Sequence, residues 1–160
     1  MIFVTLGSQK FQFNRLLKKI DEMLELHVIT QPVFAQTGAS DYIPVNYEYR
    51  NFLDRDEFAE IMEKSDIVIT HGGTGAIIGA VKKGKKVIAV PRLAKYGEHV
   101  DDHQLQLIRQ FDGMNLICAC MDIDDLNIAI CQIQNHQYNS YESNTKIIIE
   151  SIENCLLRNE

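Results

Sequence analysis

Short apolar runs rich in β-branched residues alternate along this chain with longer stretches whose apolar residues recur every three or four positions. Ile2 to Leu6 is the first short run, and Gly7-Ser8 closes it. Leu16, Leu17, Ile20, Met23 and Leu24 follow at helical spacing, with Lys18, Lys19, Asp21 and Glu22 on the other side. Pro32 to Thr37 reads as a second strand, closed by Gly38, and Val45, Tyr47 and Tyr49 alternate as in a half-exposed third. Asp54 followed by Glu57 has capping-box spacing and predicts a helix with Phe58, Ile61 and Met62 inward. Asp66 to Thr70 reads as a buried strand that runs straight into His71-Gly72-Gly73-Thr74-Gly75. A helix through Ala76, Ile77, Ala80 and Val81 should stop near Gly84. Lys86 to Val90 is a further strand, ended by Pro91. Leu105, Ile108 and Phe111 mark a helix, and Asn115 to Cys120 the last strand. Two more helices are predicted near 124–134 and 143–157.

This alternation predicts an α/β fold: an open, mostly parallel sheet with helices on both faces. There is no internal repeat and no interdomain linker, so residues 1–160 are read as one domain, which a 160-residue chain can support with its own core. Apolar residues make up 46% and charged residues 24%, which excludes a disordered tail or a disulfide-framed miniprotein. The formal charge of −6 argues against nucleic acid or a phospholipid surface as the main partner. No apolar run has the ~18–20 residues that cross a bilayer, and the opening residues read as a strand rather than a secretory leader. Cys118, Cys120, Cys131 and Cys155 fit no usual zinc spacing and read as buried, reduced thiols of a cytosolic protein.

Candidate chemistry gathers at the turns after the strands. In His71–Gly75, three glycines let a ligand approach the backbone, and the following helix start offers N–H groups to phosphate oxygens. Gly7-Ser8 offers a second such turn, although a short glycine turn also serves plain packing. The segment Gly79 to Lys86 is not a P-loop, because it lacks the closing hydroxyl residue and spans a helix end. Neither turn matches a dinucleotide fingerprint, because Gly73 to Gly79 has one residue too many and Pro91-Arg92 stands where an acid is needed. That disfavours an NADP-linked enzyme using Arg92. His71-Gly72-Gly73 has no partnering G-x-S-x-G elbow, which disfavours an esterase. The dense polar segment Arg92 to Gln104 can read several hydroxyl groups, or simply cap a helix. In it, His99 and His103 stand four apart beside Asp101 and Asp102, but a helix boundary at Val100-Asp101 argues against a shared metal, and none is expected.

The motifs Ser65–Gly75, Gly84–Arg92 and Asp102-His103-Gln104, with Val4–Ser8 and Gln36-Thr37-Gly38, resemble the nucleotide-sugar-binding half of glycosyltransferase family 28. The resemblance runs from Met1 to about Cys120. With Phe11–Leu16 and Gly97–Gln104, the chain looks most like small bacterial capsule or exopolysaccharide subunits, which are similar to the catalytic subunit of the dolichol-linked GlcNAc transferase pair.

The resemblance implies a Rossmann-like domain, the donor half of a GT-B enzyme. A UDP-sugar would be the substrate, with no cofactor and no metal at an Asp-x-Asp motif. It implies inverting transfer of a hexose to a lipid-linked saccharide, with the acceptor and the catalytic base supplied by a membrane-anchored partner subunit. The chain itself would be cytoplasmic, peripheral at the membrane through that partner. By position, Gly7, Ser8, His71, Gly72, Gly73, Thr74 and Gly75 would line the diphosphate, Phe52 and Leu53 the uracil, and Glu98, Asp102, His103 and Gln104 the sugar. Several relatives carry an acid for the ribose where this chain has Gly79, which shifts that task elsewhere, to Glu98 for example. It also keeps a second class of function open: a non-catalytic enhancer that stabilises a separate transferase.

Overall fold

In the computed structural model, which describes residues 1–142, strands β1 (Ile2–Thr5), β2 (Val33–Gln36), β3 (Glu48–Arg50), β4 (Ile67–His71), β5 (Lys86–Val90) and β6 (Cys118–Ala119) form one sheet. Every pairing is parallel, in the order β3-β2-β1-β4-β5-β6. The helices are α1 (Asn14–Glu25), α2 (Arg55–Lys64), α3 (Thr74–Lys82), α4 (His103–Gly113) and α5 (Leu126–Asn135). Side chains of α1 and α5 pack on one face of the sheet with Ile2, Val4, Ile69 and Ile88. Those of α2, α3 and α4 cover the other face with Phe3, Val68 and Val87. The inner strands are therefore buried on both sides, as their near-continuous apolar runs require.

The winding reverses between β1 and β4. From β1 the chain proceeds outward through β2 to β3, and from β4 outward the other way through β5 to β6. In such sheets the crevice outside the carboxyl ends of the two central strands is where ligands sit. Thr5 pairs in register with Thr70, and Thr70 Oγ1 donates to the Thr5 carbonyl at 2.8 Å. The segments that follow, Gly7 and His71, consequently leave the sheet side by side.

The expected capping box is present: Asp54 accepts from the Asp56 and Glu57 N–H groups, and Glu57 accepts from the Asp54 N–H. Gly84 follows α3 with φ +69°, the left-handed end expected of it. Four expectations are corrected. Asp21 is not on the solvent side of α1 but buried, accepting from the Tyr42 hydroxyl (2.7 Å) and the Val45 and Asn46 N–H groups (2.8 and 2.7 Å). It thereby anchors the crossing from β2 to β3. Val45 lies outside the third strand and is 81% exposed, because this crossing and not the apolar alternation sets where pairing begins. The last strand shortens to Cys118–Ala119, since Asn115 adopts φ +55°, which a strand cannot contain. Cys120 is buried as expected, but Cys131 is exposed on α5. Cys155 and the helix expected near 143–157 lie outside the described residues.

Candidate functional site

Both glycine turns close around one imidazole. His71 ends β4 and is buried between them. A Cβ on Gly7 would lie 2.8 Å from His71 Cε1, and one on Gly73 would lie 2.3 Å from His71 Nε2. Neither turn can carry a side chain while the ring is there. Gly7 also has φ +71°, which favours glycine independently of space. The turn after β2 packs on the first: a Cβ on Gly38 would lie 2.8 Å from the Gly7 carbonyl oxygen. Burial, helped by the nearby Arg92 charge, pushes the His71 pKa down to about 4. The ring is therefore neutral at physiological pH.

Helix α3 starts directly above this ring. Its N-cap is Gly73, which brings no capping side chain, and Thr74 and Gly75 are exposed. The first N–H groups of α3 thus face outward without an intrahelical partner, at the positive end of the helix dipole. A phosphate group satisfies such donors without further machinery.

The two turns are joined from beneath by Arg92 and Gln104. Gln104, in the first turn of α4, is buried, and its Oε1 accepts from the Gly72 N–H at 3.1 Å and the Arg92 N–H at 3.0 Å. Arg92 is wholly buried at the end of β5. Its Nη2 donates to the Leu6 carbonyl (2.9 Å) and the Phe11 carbonyl (3.2 Å), the two ends of the segment that carries Gly7 and Ser8. Its guanidinium carbon lies 5.5 Å from the Phe13 ring centroid. Nε and Nη1 have no hydrogen-bond partner among the described residues. Burial lowers the Arg92 pKa to about 10, opposed by Glu98, so the group stays cationic. A positive charge without a carboxylate of its own therefore sits under both turns. In the sequence reading Arg92 opened the polar segment that runs to Gln104 and was rejected as an anchor for a 2′-phosphate. Its burial is consistent with that rejection, because the guanidinium is turned inward to carbonyls.

The remaining candidates fall into two groups. Ser8 is exposed at the first turn, and Phe52 is 54% exposed. The preceding Asn51 accepts from the Gly38 N–H at 2.8 Å, which sets Phe52 and the half-buried Leu53 on the same sheet edge as the turns. Asp102 and His103 are exposed at the start of α4, and Asp102 accepts from the Ala94 N–H at 2.8 Å. Glu98 behaves differently. It is 1% exposed, and both its oxygens are taken by the Arg15 guanidinium at 3.0 Å each, with the Leu93 N–H as a further donor. The structure thus gives Glu98 a structural ion pair and no open oxygen directed at a ribose or sugar. Gln104 keeps only its amide nitrogen for a ligand. A cleft lined by Arg15, Lys18, Lys19 and Tyr96 also opens at α1, but Arg15 pairs with Glu98 and Lys19 with Asp124.

With this geometry in place, comparison with known proteins is direct. The glycosyltransferase family 28 C-terminal domain model matches residues 1–155. The chain is 26% identical over 128 residues to the human UDP-N-acetylglucosamine transferase subunit ALG13, covering 74% of this chain and 11% of that protein. It is 24% identical over 132 residues to the mouse protein of the same name, covering 74% and 10%. It therefore spans about a tenth of the length of the curated relatives it matches. Among solved structures, the glycotransferase of kitacinnamycin superposes with TM-score 0.63 at 18% identity, covering 84% of this chain and 35% of that one. MurG of Acinetobacter baumannii gives 0.57 at 17% identity, covering 84% and 41%. These likenesses concern the fold.

Proposed function

The chain belongs to the glycosyltransferase family 28 C-terminal domain family, and from that premise we propose that it is the UDP-sugar-binding subunit of a two-component, inverting glycosyltransferase. The observation that carries this reading is the closure of two glycine turns around neutral His71, with the open start of α3 above and the buried Arg92 charge below. Such a site suits a diphosphate. Backbone N–H groups and a fixed positive field stabilise the negative charge that builds on UDP as the glycosidic bond breaks, and they do so without a metal in the transfer step. Phe52-Leu53 would receive the uracil at the neighbouring edge. Asp102, His103 and the Gln104 amide nitrogen would meet the sugar.

A hexose passes to a hydroxyl of a lipid-linked saccharide in this reading. The acceptor and the base that takes its proton come from a membrane-anchored partner subunit, and the product belongs to capsule or exopolysaccharide. Among the described residues no helix is long and apolar enough to cross a membrane, so membrane contact would come through that partner. Gly79 is exposed with open space around it, which favours a second reading, an enhancer that binds a separate transferase without donor. Titrating the chain with UDP, UDP-glucose, UDP-galactose and UDP-GlcNAc separates the two. Saturable uptake of UDP and of one sugar nucleotide supports the first, and no uptake of any supports the second.

A further inference from the structure

We infer that His99, Asp101 and His103 form a binding site for one divalent cation of the zinc class. His99 and Asp101 lie in the loop between β5 and α4, His103 opens α4, and each offers a ligand atom within 4.8 Å of the others. The helix boundary that was expected to separate them does the opposite. Because α4 begins only at His103, the chain before it is free to curl, and Gly97 turns it with φ +67°. Both Nδ1 atoms then face one oxygen, Asp101 Oδ1: His99 at 3.3 Å, and His103 in closer contact. Two ligands held about 2.1 Å from a tetrahedral ion stand about 3.4 Å apart, so the His99–Asp101 spacing already fits a shared ion.

The residue types and their surroundings point the same way. The Asp101 N–H donates to His99 Nδ1 at 3.4 Å, so that nitrogen is the unprotonated one, and an ion would take its lone pair in place of this long hydrogen bond. The His99 side chain is only 9% exposed and is held between Phe11 and His103, with ring centroids at 5.0 and 4.9 Å. Asp101 and His103 are open to solvent, which gives an ion a way in. Capping of α4 needs only Asp101, whose Oδ1 accepts the His103 N–H at 3.1 Å. Two imidazoles converging on that same oxygen exceed what capping requires. Two nitrogens and one carboxylate suit zinc and its neighbours, whereas calcium and magnesium prefer all-oxygen sites. Three protein ligands leave a fourth position to water. The ion would fix the loop that carries Asp102 and leads into Gln104. His103, bound through Nδ1, would keep its Nε2–H for a ligand hydroxyl.

The test uses the full chain with Cys131 and Cys155 replaced by serine, stripped with chelator and titrated calorimetrically with Zn²⁺ in the absence of nucleotide. One ion per chain is expected, unaffected by millimolar Mg²⁺, with the Nδ1 and not the Nε2 imidazole ¹⁵N resonances of His99 and His103 shifting. His103→Gln and Asp101→Asn, both at exposed positions, should each weaken binding more than about tenfold. Absence of one-to-one binding, unchanged affinity in either variant, or shifts confined to Nε2 would overturn the site. The outcome does not depend on UDP binding, so it separates from the donor-site reading.

Discussion

One oxygen of Gln104 holds two strand ends together: Oε1 accepts the Gly72 N–H at 3.1 Å and the Arg92 N–H at 3.0 Å, 32 and 12 residues away in sequence. Removing it strands two buried donors, each worth about 1–3 kcal/mol when left unpaired. Gln104→Ala should therefore lose about 2–4 kcal/mol in urea unfolding and weaken UDP as well as UDP-sugars. Gln104→Glu keeps an acceptor beside the Arg92 charge and should stay within about 1 kcal/mol of the natural chain. Equal losses in both variants would remove the acceptor role.

Gly73 and His71 should be coupled. A Cβ at Gly73 meets His71 Nε2 at 2.3 Å, so Gly73→Ala should cost about 1–3 kcal/mol. In a His71→Ala background that cost should fall by at least about 1 kcal/mol, because the clashing ring is gone. Thermodynamic additivity of the two changes would show that the ring and the turn do not press on each other.

The low His71 pKa ties stability to pH. The unfolded chain takes up this proton near 6.5 and the folded chain only near 4, so the unfolded state binds more protons between those values. Stability from this group is complete above pH 6.5 and declines as pH falls, by about 2 kcal/mol at pH 5 and about 3 kcal/mol in full. Urea unfolding of the natural chain and of His71→Asn at pH 7 and pH 5 measures it. The variant should lack that part of the decline.

Asp21 anchors the crossing from β2 to β3. Burial opposes its charge, but the Tyr42, Val45 and Asn46 donors outweigh burial and hold its pKa below the usual carboxylate range. Asp21→Ala should cost about 2–4 kcal/mol. Its contribution is present above the ordinary carboxylate pKa and lost as pH falls below it. A shift under 1 kcal/mol at pH 7 would show the anchor to be dispensable.

The alternation of strands and helices was readable, and with it the mostly parallel sheet though not its strand order, because each buried strand is a short apolar run and each helix has a 3.6-residue period, as in Ile67–Thr70 followed by Ile77, Ala80 and Val81. The glycine turns were readable because their composition has a physical use at a strand end. Asp21, Glu98 and Arg92 were not, because a charged residue reads as solvent-facing until its partners are known. Those partners lie far along the chain: Val45 and Asn46 for Asp21, Arg15 for Glu98, Leu6 and Phe11 for Arg92. The His99–Asp101–His103 cluster was set aside because a helix boundary was expected between its members, and a loop's curl has no periodicity to read.

The diphosphate assignment is tested most directly at Gly75. Unlike Gly73, a Cβ there meets nothing within 4 Å, so a side chain fits without disturbing His71. An aspartate in the first turn of α3 also suits the helix dipole and leaves folding intact or slightly favoured. The same carboxylate would stand where the diphosphate is proposed to bind. Calorimetric titration with UDP, on the natural chain and on Gly75→Asp, should show saturable binding in the first. In the second it should show at least about a tenfold loss, about 1.4 kcal/mol, with an unchanged melting temperature. Undiminished UDP affinity in Gly75→Asp, or no UDP binding by the natural chain, would contradict the account.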